Sequence, residues 1–311
     1  FDNSFVTTMT HTNKPKVAVL LSTYNGEKYL RQQLDSIYNQ EGVEVTLLVR
    51  DDGSSDSTLK MLEEERQAGK LNWYTGENLK PAYSFWHLLT AAPEADFYAF
   101  ADQDDFWMKD KLAVACESLE TAIGVPSLYF CQTQLADEHL NLLPNVPISP
   151  RLTYGEALIH QFVGGCTMVM NHLMREILVR YTPKYLQMHD FWIYDVALAV
   201  GANVVFDSIP HMLYRQHGKN AVGQLNDTKF VWKSRWERFR KNEHIRLKTA
   251  QELWEGYRDL MSDENRALTE QIVNYRTSLS AKWNLLWDKR LTCSKKSVTL
   301  STKVALLLNL F

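Results

Sequence analysis

Cysteine is scarce: four residues in 311, and Cys116, Cys131, Cys166 and Cys293 stand far apart with no Cys-x-x-Cys pair. That spacing excludes a zinc site and a secreted disulfide framework, and it points to a reducing cytosol. Long hydrophobic runs are missing as well. Stretches such as Val304 to Leu308 fall far short of the roughly 18 apolar residues of a membrane span. Neither sign of charge dominates, with 34 Lys+Arg against 37 Asp+Glu. A charged fraction of only 23% beside nine Trp excludes a disordered chain, a collagen and a repeat array.

What charge there is lies unevenly. Residues 227–311 hold 17 Lys+Arg and 10 Asp+Glu, a net +7, which leaves residues 1–226 with 17 − 27 = −10. An acidic body with a basic tail region points to two functions in one chain. Residues 1–15 begin with a polar, patternless stretch from Phe1 to Asn13 and read as a loose or appended terminus outside the fold. Residues 16–226 read as one domain and 227–311 as a helical region.

From Lys16 onward, short apolar runs alternate with helix-period segments. Val17 to Ser22 is a buried-strand run that ends in Thr23-Tyr-Asn-Gly26. Leu30, Leu34, Ile37 and Tyr38 then repeat as one helix face. Val43 to Arg50, Leu71 to Tyr74 and Phe97 to Ala101 are further strands, separated by helices that carry Leu59 and Leu62, then Phe85, Leu88 and Leu89. Strand, loop and helix repeated in this way describe an α/β fold, a mostly parallel sheet covered by helices on both faces. Ligands of such sheets bind outside the carboxyl ends of the strands. Three strands here end in polar clusters: Thr23/Tyr24/Asn25, Asp51/Asp52 and Asp102/Asp104/Asp105. A helix is expected over Trp107 to Leu119, a strand over Leu128 to Leu135, a loop and strand over Phe162 to Met170, a helix over His189 to Val200 and a strand over Asn203 to Asp207. Trp232, Trp236 and Phe239 lead into Leu247, Trp254, Tyr257 and Met261, and Leu268 to Leu286 repeats near 3.5 residues, which predicts a hairpin of two long helices.

Asp-x-Asp at a strand end can hold one divalent ion beside a diphosphate, because Mg²⁺ takes one or two protein carboxylates and fills its shell with phosphate and water oxygens. Asp102, Asp104 and Asp105 fit that pattern; the competing reading is a cap on the following helix. A carboxylate at Asp51 can accept the imide N–H of uracil or thymine while Tyr24 covers a base face, or it can serve only the turn geometry of Asp51-Asp-Gly-Ser54. Asp190, at a helix start beside His189 and Trp192, can cap that helix or act as a general base. His217, in Tyr214-Arg-Gln-His-Gly218, can be structural, a metal ligand or a phosphate contact.

Val19-Leu-Leu-Ser-Thr-Tyr-Asn-Gly26, Arg50-Asp-Asp-Gly-Ser-Ser-Asp56, Gly76-Glu-Asn78 and Ala101-Asp-Gln-Asp-Asp-Phe-Trp107 together resemble the family 2 glycosyltransferases of the GT-A fold. The Asp-Gln-Asp-Asp-aromatic-Trp form, followed by His-Asp and Arg-Gln-His-Gly, is most similar to bacterial rhamnosyltransferase-like members. The resemblance covers about residues 16–220. It implies an inverting, metal-dependent transferase that uses a nucleotide-diphosphate sugar with Mg²⁺ or Mn²⁺. By this resemblance Thr23, Tyr24 and Asp51 hold the nucleobase, with Asn25, Asp52, Asn78 and Gln103 also on the donor side, and Asp102 faces the ribose. Asp104 binds metal, Asp105 joins through water, and His217 helps hold metal or diphosphate. Asp190 is the catalytic base, and Gly165, Cys166, His189 and Trp192 border the acceptor. One departure stands out: relatives often carry a small residue soon after the Asn of the third motif, whereas Asn78 is followed here by Leu79-Lys80-Pro81, whose Lys80 could reach a phosphate.

The donor expected is dTDP-rhamnose, with a UDP-hexose as the alternative, and the acceptor is a hydroxyl of a glycan or lipid-linked glycan in surface polysaccharide synthesis. A catalytically silent nucleotide-sugar or glycan-binding scaffold is the rival from another class, and the presence of both Asp104 and Asp190 counts against it. Nucleic acid is not an expected partner, since the candidate site is acidic. The expected location is cytoplasmic. Tryptophans and lysines in the tail suit a peripheral helix on an anionic membrane or, equally, an oligomer interface.

Overall fold

The computed structural model describes residues 14–217 and 244–311. Lys16–Thr23 (β1) is buried from Val17 to Leu21 without a break, as befits a strand covered on both faces. It is followed by Leu30–Tyr38 (α1), Glu44–Asp51 (β2), Thr58–Gln67 (α2), Asn72–Thr75 (β3), Lys80–Ala91 (α3) and Phe97–Ala101 (β4). Strands β3, β2, β1 and β4 lie side by side in that order, all parallel.

Beyond β4 the chain departs from simple alternation. Phe106–Trp107 is a short strand (β5), so the next helix, α4, covers only Lys111–Glu120 rather than starting at Trp107. The single strand expected over Leu128 to Leu135 is two, Ser127–Cys131 (β6) and Gln134–Ala136 (β7), in different sheets. The break falls at Gln132, whose N–H donates to the Asp207 carbonyl (2.8 Å) before the chain turns away. Tyr154–Ala157 (α5) and a 3-10 turn at Gly165–Thr167 lead into Val169–Asn171 (β8), which runs antiparallel between β4 and β6. His172–Val179 (α6), His189–Ala199 (α7), Asn203–Asp207 (β9) and Met212–Arg215 (β10) follow. The main sheet is ordered β3-β2-β1-β4-β8-β6-β9, and β5-β10-β7 form a second, smaller sheet.

The tail was expected to be two long helices. The described residues carry four shorter ones: Ile245–Tyr257 (α8), Asp263–Asn274 (α9), Leu279–Trp287 (α10) and Lys296–Leu307 (α11). Serines restart the chain at the breaks: the Ser262 side chain accepts the Asn265 N–H, and the Ser278 side chain the Ala281 N–H. Trp232, Trp236 and Phe239 lie outside the described residues. The tail helices share a core with the sheet, in which Phe100, Phe130 and Trp192 are continuous with Tyr257 and Leu285. Polar contacts pin the two together. Tyr257 donates to the Leu178 carbonyl (2.9 Å), and the Glu252 carboxylate accepts from the N–H groups of Lys184 (2.8 Å) and Tyr185 (3.1 Å). Among the described residues no helix is long and apolar enough to cross a membrane.

Candidate active site

Register decides which loops meet. Thr23 pairs with Asp51 across β1 and β2, and Leu21 pairs with Ala101 across β1 and β4, so the three polar turns leave one edge of the sheet. Gln103 ties two of them together: its Oε1 accepts from the Thr23 hydroxyl (2.7 Å) and the Tyr24 N–H (2.9 Å), and its Nε2 donates to the Tyr24 carbonyl (3.2 Å). The Tyr24 ring remains half exposed beside them.

Much of the donor-side set holds loops in place. Asp51 is buried and accepts the N–H groups of Gly53 (2.9 Å) and Ser54 (2.8 Å) as well as the Ser54 hydroxyl, the turn-forming role weighed above. Asp52 pairs with Arg50 and accepts the Leu79 N–H (3.0 Å), which anchors the β3–α3 loop. Asn25 adopts a left-handed φ of 50°, a conformation Asn tolerates, and its Oδ1 accepts the Ser55 N–H (2.8 Å). Asn78 accepts the Lys80 N–H (3.1 Å), and Lys80 is exposed at the start of α3.

The acidic turn after β4 is closed from the other side by β10. His217 Nε2 lies 2.7 Å from Asp104 Oδ2, and Arg215 donates from Nε to the Asp104 carbonyl (2.7 Å) and from its backbone N–H to Asp105 Oδ1 (3.2 Å). Both side chains rest on Tyr29, the His217 ring at 5.0 Å and the Arg215 guanidinium at 4.5 Å. Burial, then the neighbouring Asp104 and Asp190 carboxylates, push Asp102 up to about 7. Asp105 is raised well above the usual carboxylate range, chiefly by burial, and its Oδ2 is buried without a hydrogen-bond partner among the described residues. Ligand atoms of Asp102, Asp105 and Cys166 lie within 4.8 Å of one another. Burial and those two carboxylates hold Cys166 as a neutral thiol.

Asp190 stands in the first turn of α7. Its Oδ2 accepts the Gly165 N–H (3.0 Å) and its Oδ1 the Phe191 N–H (2.9 Å). Burial pushes it up to about 6, and those backbone donors oppose the shift. Gly165 links it to the acidic turn, since the sulfur of the next residue, Cys166, lies beside Asp102 and Asp105. Gly165 and Cys166 therefore stand between Asp190 and the acidic turn. His189 and Trp192 are buried as well: the His189 ring lies 4.1 Å from Phe85 and 5.1 Å from Phe100, and Trp192 packs against Tyr257 at 5.8 Å. Two residues escaped sequence reading as site members. Arg215 could have been found through its place in the Arg-Gln-His run. Lys111 is buried with Nζ 3.4 Å from the Trp107 ring centroid, and burial lowers it to about 8; its only sequence signal is the Trp107/Lys111 spacing of one helical turn.

Residues 18–178 match the family described as Glycosyl transferase family 2, more than half of the chain. The chain belongs to that family. The match takes in the loops that carry Thr23, Asp51, Asp104 and Cys166, while Asp190 and His217 lie beyond it. The dTDP-rhamnosyl transferase RfbG of Shigella flexneri is 28% identical over 224 residues, 65% of this chain and 73% of that protein. The UDP-Glc:alpha-D-GlcNAc-diphosphoundecaprenol beta-1,3-glucosyltransferase WfgD of Escherichia coli is 26% identical over 180 residues, 57% of this chain and 68% of that protein. Among solved structures, S. aureus TarS 1-349 superposes with a TM-score of 0.58 at 17% identity, over 95% of this chain and 80% of that one. The architecture of this family 2 member is the GT-A fold.

Proposed function

We propose that the cleft transfers a sugar from a nucleotide-diphosphate donor to an acceptor hydroxyl by a single inverting displacement, with Asp190 as base. The observation that carries this reading is a short chain of contacts: Asp190 accepts the Gly165 N–H at 3.0 Å, and the sulfur of the next residue, Cys166, lies within 4.8 Å of carboxylate oxygens of Asp102 and Asp105. Asp190 takes the acceptor proton as the acceptor oxygen bonds to the anomeric carbon. The bond from that carbon to the diphosphate oxygen breaks on the opposite face, and the nucleotide diphosphate leaves with the electron pair.

A divalent cation fits the residues present. Carboxylates crowd together here, Asp102 being raised by burial and then by its neighbours and Asp105 keeping an unpartnered buried oxygen among the described residues, and that is the surplus negative charge a hard cation relieves. Asp104, Asp105 and His217 would hold Mg²⁺ or Mn²⁺, with Asp102 on the ribose side, and the bound ion would offset the charge that develops on the diphosphate. Tyr24 would cover the base, with Thr23 and Asp51 beside it, and Lys80 would reach toward a phosphate. The acceptor would enter past Gly165 and Cys166.

Likeness to the Shigella dTDP-rhamnosyl transferase favours dTDP-rhamnose as donor and a surface glycan or its lipid-linked precursor as acceptor. A UDP-hexose is the second reading, favoured by likeness to the E. coli glucosyltransferase. A nucleotide-release screen over dTDP-rhamnose and common UDP-sugars, with and without Mn²⁺, tests both. Release from dTDP-rhamnose alone is the expected result, release from a UDP-sugar moves the reading to the second donor, and no release with any donor favours the silent scaffold. Asp190→Asn is expected to lose at least about 100-fold in transfer with donor affinity nearly unchanged in calorimetry. An Asn variant that keeps more than about a tenth of the rate removes Asp190 from the base role.

A further inference from the structure

The last two helices present an apolar face that nothing in the described chain covers. Trp283 and Trp287 stand one turn apart on α10, 63% and 67% exposed, with ring centroids 6.1 Å apart. Leu300, Val304, Leu307 and Leu308 line the outer side of α11, all exposed. The inner side of that helix is already occupied, because Val298, Thr302 and Leu306 are buried in the shared core. The two helices form one surface: Lys303 Nζ sits 5.4 Å from the Trp287 ring, and Lys282 Nζ reaches across to the Leu307 carbonyl (2.9 Å).

We propose that this face docks on an anionic lipid bilayer. Charge complementarity selects that occupant. Residues 279–311 hold six Lys+Arg and a single acidic residue, Asp288, which is paired with Arg290 at 2.6 Å. Lys289 and Lys295, in the connection between the helices, and Lys296, the first residue of α11, are exposed. Lysines around tryptophans and leucines match the headgroup layer, where ammonium groups meet lipid phosphates and indoles sit at the boundary with the acyl chains. A second copy of the chain would bring the same positive rim against itself, and like charges repel. The helices lie on the surface rather than cross it: α11 has 12 residues, roughly 18 Å of helix against a hydrocarbon core of about 30 Å.

Vesicle flotation tests the proposal without any sugar transfer, so its failure is separable from failure of the catalytic reading. The full chain is expected to float with phosphatidylcholine vesicles that contain about 30% phosphatidylglycerol, to stay behind with phosphatidylcholine alone, and to be released by about 0.5 M salt. K295E/K296E and W283A/W287A should each weaken binding at least about tenfold with an unchanged melting temperature, since all four side chains are exposed. No flotation of the folded wild type with anionic vesicles, or equal flotation with neutral ones, overturns the proposal. So does a concentration-dependent dimer in sedimentation that W283E abolishes, because that result assigns the face to a second copy.

Discussion

The acceptor-activating role proposed for Asp190 depends on a carboxylate that is harder to ionise than an exposed one. Burial lifts it to about 6, still low enough to be deprotonated at neutral pH and close enough to it to hold a proton. The base works in its anionic form. Transfer should therefore be full above pH 7, half-maximal near 6 and lost as pH falls further, and a pH–rate profile of saturated enzyme checks this. Gly165 is held beside it by packing as well as by its N–H, since a Cβ there would lie 2.3 Å from His189 Nε2. Gly165→Ala should push His189 against Phe85, tilt the donor to Asp190, and reduce transfer at least about tenfold at a stability loss of about 1–3 kcal/mol, read by melting and initial rates together.

Among the elements, the early strands were legible because a strand buried on both faces is written as an unbroken apolar run, as in Val17 to Leu21. The second sheet was not. Its members are two to four residues long, too short for a period to register, and β10 finds β7 and β5 only through pairings distant in sequence. Helix length in the tail was overread for a related reason: a hydrophobic repeat can pass through a cap when two consecutive helices face the same core. Ser278 marks such a junction. Ser278→Ala should remove the bond to the Ala281 N–H and cost about 1 kcal/mol, measured by denaturant unfolding, with donor binding unaltered.

On the scale of the whole molecule, one core runs from the sheet into the tail, and backbone groups of the α6–α7 connection are satisfied by Glu252 of α8. Unfolding should be a single cooperative transition, with tryptophan fluorescence and far-UV circular dichroism coincident. Two separated transitions would show that the sheet and the tail fold independently. By itself the sequence determined the alternation of strands and helices and the polar turns after β1, β2 and β4, because those follow from local period and turn chemistry. Only the tertiary structure decided that His217 meets Asp104 across 113 positions, that Asp190 meets the Gly165 loop, and that the tail keeps one apolar face uncovered among the described residues. Distances of that kind, and the shifts in acidity they cause, depend on how elements pack and what water they exclude, and neither is written in a local pattern.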